Sequence, residues 1–323
     1  MLLYVNFIEK SRERHQGAKM NIISPITAFS LKMEDDFPAP SQRSQLNKLI
    51  ESDTKLIKQY PARADIGEIK FRLADSFVGR GCPGDYERAG IIYDEILKTY
   101  GSPYLRARVQ VGKAELMTPG IRPEEIPIAL ELCRVSRKNL QADLSDFFMA
   151  KTYIIEADLR LVRDNKKEKD HAKAMALHEK LIKERNANWY FRARAHIGKA
   201  ELILYHFPKR IAEAVILCEK AERTLKTRPD DYFTTKAMLI KALLIRRRGR
   251  GQDLNKAQHL LHAIVKDCPP YQDLYSRAAL SLAEMLKGEK AIRFLHQLKD
   301  MKGLDAYTEQ KIKILEEELK SKK

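Results

Sequence analysis

Ser102–Met117 reads SPYLRARVQVGKAELM, and Asn188–Ile203, 86 residues on, reads NWYFRARAHIGKAELI. Nine of the 16 positions are identical: Tyr104/Tyr190, Arg106/Arg192, Ala107/Ala193, Arg108/Arg194, Gly112/Gly198, Lys113/Lys199, Ala114/Ala200, Glu115/Glu201 and Leu116/Leu202. A match of that density within one 323-residue chain marks an internal repeat, and a repeat decides the architecture before local propensity does. Half of 86 is 43, and a weakened copy fills the gap. Phe148–Leu159 sets Ala150 and Ala157 where Ala107 and Ala114 stand. Outward from there, Ala62–Phe71, Tyr232–Leu244 and Ser276–Met285 supply further copies, making six first helices.

Each copy is followed by a second apolar run that opens on a small residue: Ala89, Ala129, Ala174, Ala214, Ala257 and Ala291. Four residues on stand Tyr93, Cys133, His178, Cys218, Leu261 and Leu295. Seven on stand Ile96, Ser136, Leu181, Ala221, Ile264 and Leu298. Spacing of i, i+4, i+7 is one face of a helix. Gly101, Pro103, Pro229, Pro269 and Pro270 then break the chain. Glycine recurs in three first helices, at Gly67, Gly112 and Gly198, where it costs about 1 kcal/mol against alanine. Close approach of a neighbouring helix is the expected return.

A first helix carrying A-x-x-x-hydrophobic-G-x-A, then a turn, then a second helix with this small–large–small spacing, then proline, resembles the tetratricopeptide repeat. The best match is Ala193–Ala200 followed by Ala214–Ala221, and the resemblance covers roughly residues 45–300. The units here run about 41–45 residues against 34 in that family, and Glu115 and Glu201 replace its usual first-helix aromatic. The resemblance implies an all-α, right-handed superhelical solenoid of about six hairpins, whose first helices line a concave groove. One hairpin cannot bury its apolar stripe alone; stacked neighbours can.

At 44% hydrophobic and 8% aromatic the chain is globular. No apolar run approaches the roughly 18–20 residues that span a bilayer, so no membrane span is expected. Met1–Ile8 is apolar but has no preceding basic region or following cleavage site. Cys82, Cys133, Cys218 and Cys268 are scattered, which fits reduced thiols and a cytoplasmic setting. The expected organisation is a poorly structured segment over 1–40, a solenoid over 41–303 and a capping helix over 304–323. Within it, Ser44–Tyr60 forms a helix that covers the first hairpin, and Met20 is an alternative start to Met1.

The net charge of +16 points to acidic partners or nucleic acid. Counted from the glycine, the groove-facing cations are Arg106, Lys113, Arg192, Lys199 and Lys241. Internal pairing with nearby acids is the alternative use for them. Arg108 and Arg194, with Glu115 and Glu201, suit ion-pair ladders between neighbouring repeats. A second basic set gathers at the turns inside hairpins and peaks at Arg246, Arg247, Arg248 and Arg250, in RRRGRG. There it either solvates helix ends or forms a basic rim for phosphates.

His259 and His262 lie three apart but lack further ligands, so no metal is expected, and His171 and His178 are unaccompanied. No phosphate-binding or nucleophile motif appears, so no cofactor and no catalysis are expected. Trp189, Tyr104, Tyr190, Phe191, Tyr232 and Phe233 open first helices and are read as packing between repeats. The expected function is a non-catalytic scaffold that takes an acidic peptide or helix of a partner protein in its groove. The alternative is RNA binding along the basic edge.

Overall fold

The computed structural model describes residues 40–321 except 83, 119–121, 123, 141–142, 164–167, 228–231, 268–271, 287 and 300–305. The expectations for Met1–Ile8, for the start and for the segment before residue 40 lie outside these. Among the described residues there is no strand, and there are fourteen α-helices. They are α1 (Pro40–Gln59), α2 (Ile66–Arg80), α3 (Asp85–Thr99), α4 (Pro103–Met117), α5 (Ile126–Asn139), α6 (Phe147–Arg163) and α7 (Glu168–Lys183). The rest are α8 (Trp189–His206), α9 (Ile211–Leu225), α10 (Tyr232–Arg248), α11 (Asp253–Asp267), α12 (Gln272–Met285), α13 (Gly288–Lys299) and α14 (Ala306–Ser321).

Every helix packs on its neighbours in the chain. Six hairpins follow one another: α2/α3, α4/α5, α6/α7, α8/α9, α10/α11 and α12/α13. Helix α1 covers α2 at one end, and α14 packs on α12 and α13 at the other. First helices also touch the next first helix along, from α2 through α12, and so form a continuous row. Among the described residues no pair of second helices makes contact of comparable extent.

The eighteen second-helix residues singled out by the i, i+4, i+7 pattern are all buried, none more than 2% exposed. Their stripe is wedged between two first helices, which is why one face suffices. The apolar interior is divided into successive clusters along the ribbon. Helix starts are set locally. The Ser102 hydroxyl accepts from the Leu105 N–H at 3.4 Å, with Pro103 next, and the Asn188 side chain accepts from the Tyr190 N–H at 3.1 Å.

Two glycines mark close helix approach. A Cβ on Gly112 would lie 2.6 Å from the Tyr93 ring, and one on Gly198 would lie 2.5 Å from the His178 ring. Gly67 is not their counterpart. Ala62 lies in a turn, α2 begins at Ile66, and the order of buried residues aligns Ala74 with Gly112. Gly67 meets Leu105 and Tyr100 instead. The first copy of the repeat is therefore shifted toward the C-terminus relative to the sequence reading.

Candidate functional site

Each first helix carries a cation at one shared place: Lys70, Arg108, Lys151, Arg194, Lys236 and Arg277. Each directly follows a buried residue, namely Ile69, Ala107, Ala150, Ala193, Thr235 or Ser276. That buried residue fixes the helix rotation and so points successive cations along the same row. Seven positions on, two turns along the same face, stand Glu115, Asp158, Glu201 and Glu284. Phe77 and Leu243 take that place in α2 and α10.

The result is a ladder in which the cation of one helix meets the acid of the helix before. Lys151 Nζ lies 2.5 Å from Glu115, and Lys236 Nζ lies 2.9 Å from Glu201. Where no acid is offered, the cation turns elsewhere. Arg108 reaches Glu68 at 2.6 Å, Arg277 donates to the Tyr205 hydroxyl at 2.5 Å and lies 3.7 Å from Glu201, and Lys70 pairs with Glu95.

The rung between α6 and α8 differs. Among the described residues, neither the Asp158 carboxylate nor the Arg194 guanidinium has a hydrogen bond or an ion pair. Arg194 instead sits over the Phe233 ring at 4.2 Å and the Phe191 ring at 5.4 Å, with its Nε buried and unpartnered. Burial pushes the Asp158 carboxyl up to about 6, against the pull of Arg194 and Lys236. At Glu201 burial works the same way, but Lys236 and Arg277 outweigh it and hold that carboxyl below its ordinary range.

Two buried rings border the ladder from the second helices. The Tyr93 hydroxyl and both His178 ring nitrogens lack hydrogen-bond partners. His178 is 1% exposed and feels Glu201, Lys236 and Arg194; its burial lowers its pKa to about 3. Aromatic rings line the other side of the row, in edge-to-face contacts. Phe71–Phe148, Phe147–Phe191 and Tyr190–Phe233 have centroids 5.5, 4.8 and 5.9 Å apart. Of the rings read from sequence as opening first helices, Tyr190, Phe191 and Phe233 pack between repeats, while Trp189 is exposed and stacks edge-on against Tyr190 of its own helix.

The five cations expected to face a groove are engaged within the fold. Lys113, Lys199 and Lys241 do occupy equivalent places. Each turns back to the preceding second helix: Lys113 to Asp94, Lys199 to Glu179 at 2.8 Å (and Glu213 at 3.0 Å), and Lys241 to Glu222 at 2.7 Å. Arg106 donates to the Leu97 carbonyl at 2.6 Å, and Arg192 to the Arg185 carbonyl at 3.1 Å. Both close the C-terminal end of the preceding second helix. The ladder residues Lys70, Lys151, Asp158, Lys236 and Arg277 were not singled out from sequence. Arg108, Arg194, Glu115 and Glu201 were, with Glu115 and Glu201 now paired across repeats as a ladder requires.

The RRRGRG stretch is mostly an internal clasp. Arg248 binds Asp253 through two hydrogen bonds of 2.7 Å, and the Arg250 N–H donates to the same carboxylate at 3.1 Å. Arg246 reaches the Ser281 carbonyl at 3.1 Å and Glu284 at 2.6 Å, and Arg247 donates to the Leu204 carbonyl. The Arg250 side chain is exposed. The same clasp joins Arg80 to Asp85 at 2.8 and 2.6 Å, with the Cys82 N–H donating at 3.0 Å. Gly81 and Gly249 follow the arginines with φ of 64° and 62°, the left-handed turn that frees the chain from the helix.

Cys82, Cys133 and Cys218 are free thiols, and burial pushes Cys133 up to about 12. Among the described residues no group of three or more His, Cys, Asp or Glu side chains is placed to hold a metal. No helix there is long and apolar enough to cross a membrane. No family model and no curated protein matches the chain.

Proposed function

We propose that the chain is a non-catalytic interaction scaffold of tetratricopeptide type, a right-handed superhelix whose first-helix row holds a peptide or helix of a partner protein. The carrying observation is the row itself: six consecutive first helices in contact, each presenting one cation in register. First helices that touch one another more extensively than second helices do, among the described residues, put the row on the tighter side of a curved ribbon. A periodic row of cations interleaved with acids suits an extended protein segment, whose charges alternate in sign, better than a polyanion. The partner's acids are the part attracted by Arg194, the row cation that has no hydrogen bond or ion pair among the described residues. Free thiols at Cys82, Cys133 and Cys218 support a reducing, cytoplasmic setting.

RNA binding along the basic edge is the second reading, supported by the net charge of +16 and the exposed Arg247 and Arg250. The two separate in one experiment. The full chain, Arg194→Glu and Arg250→Glu are used for affinity capture at low and high salt, with and without nuclease. Nuclease-resistant protein capture that is lost with Arg194→Glu and kept with Arg250→Glu is the expected outcome. Nuclease-sensitive capture lost with Arg250→Glu would replace it with the RNA reading.

A further inference from the structure

The ladder has two closed rungs of identical design on either side of an open one. Glu115–Lys151 and Glu201–Lys236 are ion pairs at the same repeat positions as Asp158 and Arg194, which are not paired with each other or with any other described residue. The chemical difference is on the acid side: both closed rungs use glutamate, and the open one uses aspartate, one methylene shorter. On the cation side, Arg194 is held back over Phe233 and Phe191. A charge-assisted pair is therefore withheld by side-chain length and by ring contacts, within a row where its neighbours are satisfied.

We infer that the gap between Asp158 and Arg194 seats a partner segment carrying one acid and one base, the acid on the Arg194 guanidinium and the base on the Asp158 carboxylate. This rests on the scaffold reading and adds that the partner is mixed in charge, not simply acidic. The geometry also explains the cost of the arrangement. The Arg194 Nε is buried without a hydrogen-bond partner. Such groups are expensive to leave unsatisfied, and an inserted polar segment supplies what they lack. Guanidinium over aromatic rings is held in place before binding, so little side-chain freedom is lost when a carboxylate arrives.

The test uses the full chain and three fluorescein-labelled, end-blocked peptides: one alternating Glu-Ala-Lys, one with Glu and Ala only, one with Lys and Ala only. Polarisation is read at moderate salt, to suppress non-specific attraction to a basic protein. Arg194→Gln should weaken the mixed and the acidic peptide alike, by about tenfold, the scale of one charge-assisted contact. Asp158→Asn should weaken the mixed peptide by a similar factor and leave the acidic one unchanged. Asp158→Glu, which lets the rung close as its neighbours do, should raise the thermal midpoint and weaken the mixed peptide. If both Asp158 variants bind the mixed peptide as the parent does, the gap is a solvated joint and the inference falls. The scaffold reading then still stands on Arg194-dependent binding of the acidic peptide. If no peptide shows Arg194-dependent binding, both fall.

Discussion

At the scale of single residues, the controlling contact is between a second-helix side chain and the first helix that follows it. His178 stands over Gly198 and Tyr93 over Gly112, so the ring has replaced a Cβ. Elsewhere the sizes reverse. Cys133 shares a cluster with Ile155, and Cys218 shares one with Ile240, at the matching positions. The volume at the contact is kept and its division changes, as close packing requires. Gly198→Ile alone should therefore cost about 2–4 kcal/mol, and His178→Cys alone a comparable cavity term. Together they recreate the Cys218/Ile240 arrangement and should recover at least half of the loss in urea unfolding; simple additivity would refute the pairing. The same histidine sets an acid limit. Its folded pKa near 3 lies below the ordinary 6.5, so its contribution is complete above pH 6.5 and is lost as pH falls toward 3. Near pH 5 the loss is about 2 kcal/mol. His178→Tyr copies the Tyr93/Gly112 contact and should shrink the stability difference between pH 7 and pH 5 by that amount. An unchanged difference would place the acid sensitivity elsewhere.

At the scale of elements, the hairpin turn and the helix face decide what was legible. R-G-x-x-x-D occurs at Arg80–Asp85 and at Arg248–Asp253, with glycine in the left-handed region and one carboxylate gathering an arginine and a backbone N–H. Read as a run of charge, RRRGRG looks like a surface; read by spacing to Asp253, most of it is a fastening. Asp85→Ala should lower stability by about 1.5–3 kcal/mol in chemical denaturation, the worth of hydrogen bonds to a charged partner. Asp253→Ala should act in the same direction, and Arg250→Ala, on an exposed side chain, should leave stability unchanged. The hairpins themselves were legible because alanine recurs at i and is followed by residues at i+4 and i+7 that share its face, and all eighteen are buried. The ladder was not. Arg108 and Lys113 are five residues apart, which is about 140° around a helix. One therefore pairs with the preceding first helix and the other with the preceding second helix. Only burial of the intervening residues says which is which. Unit length also drifts along the chain, so Lys70, Lys151 and Lys236 do not align by a fixed count.

At the scale of the whole molecule, the extensive contacts among the described residues run between helices that are adjacent or next but one along the ribbon, with a few side chains such as Arg277 and Phe71 reaching further, and the core is a succession of clusters. Stability in such an array approximates a sum of unit terms and nearest-neighbour interfaces. A lesion at one end should then open that end without opening the middle. Ile312 of α14 is fully buried against Ala279, Leu280, Ala283, Leu295 and Leu298 of the last hairpin. Ile312→Ala removes apolar contact worth about 2–5 kcal/mol from that interface alone. Hydrogen exchange should rise in α12, α13 and α14, while α4 through α7 keep their protection, because among the described residues no ion pair or cluster links them to α14 directly. Arg277 tests the reach of the effect. It lies in α12 yet spans to Glu201 and Tyr205 of α8, so loosening α12 should speed exchange at the C-terminal end of α8 before it affects the start. Uniform acceleration across all helices would mean that the molecule unfolds as one cooperative body, and the row would then have to be understood as one face of a single core.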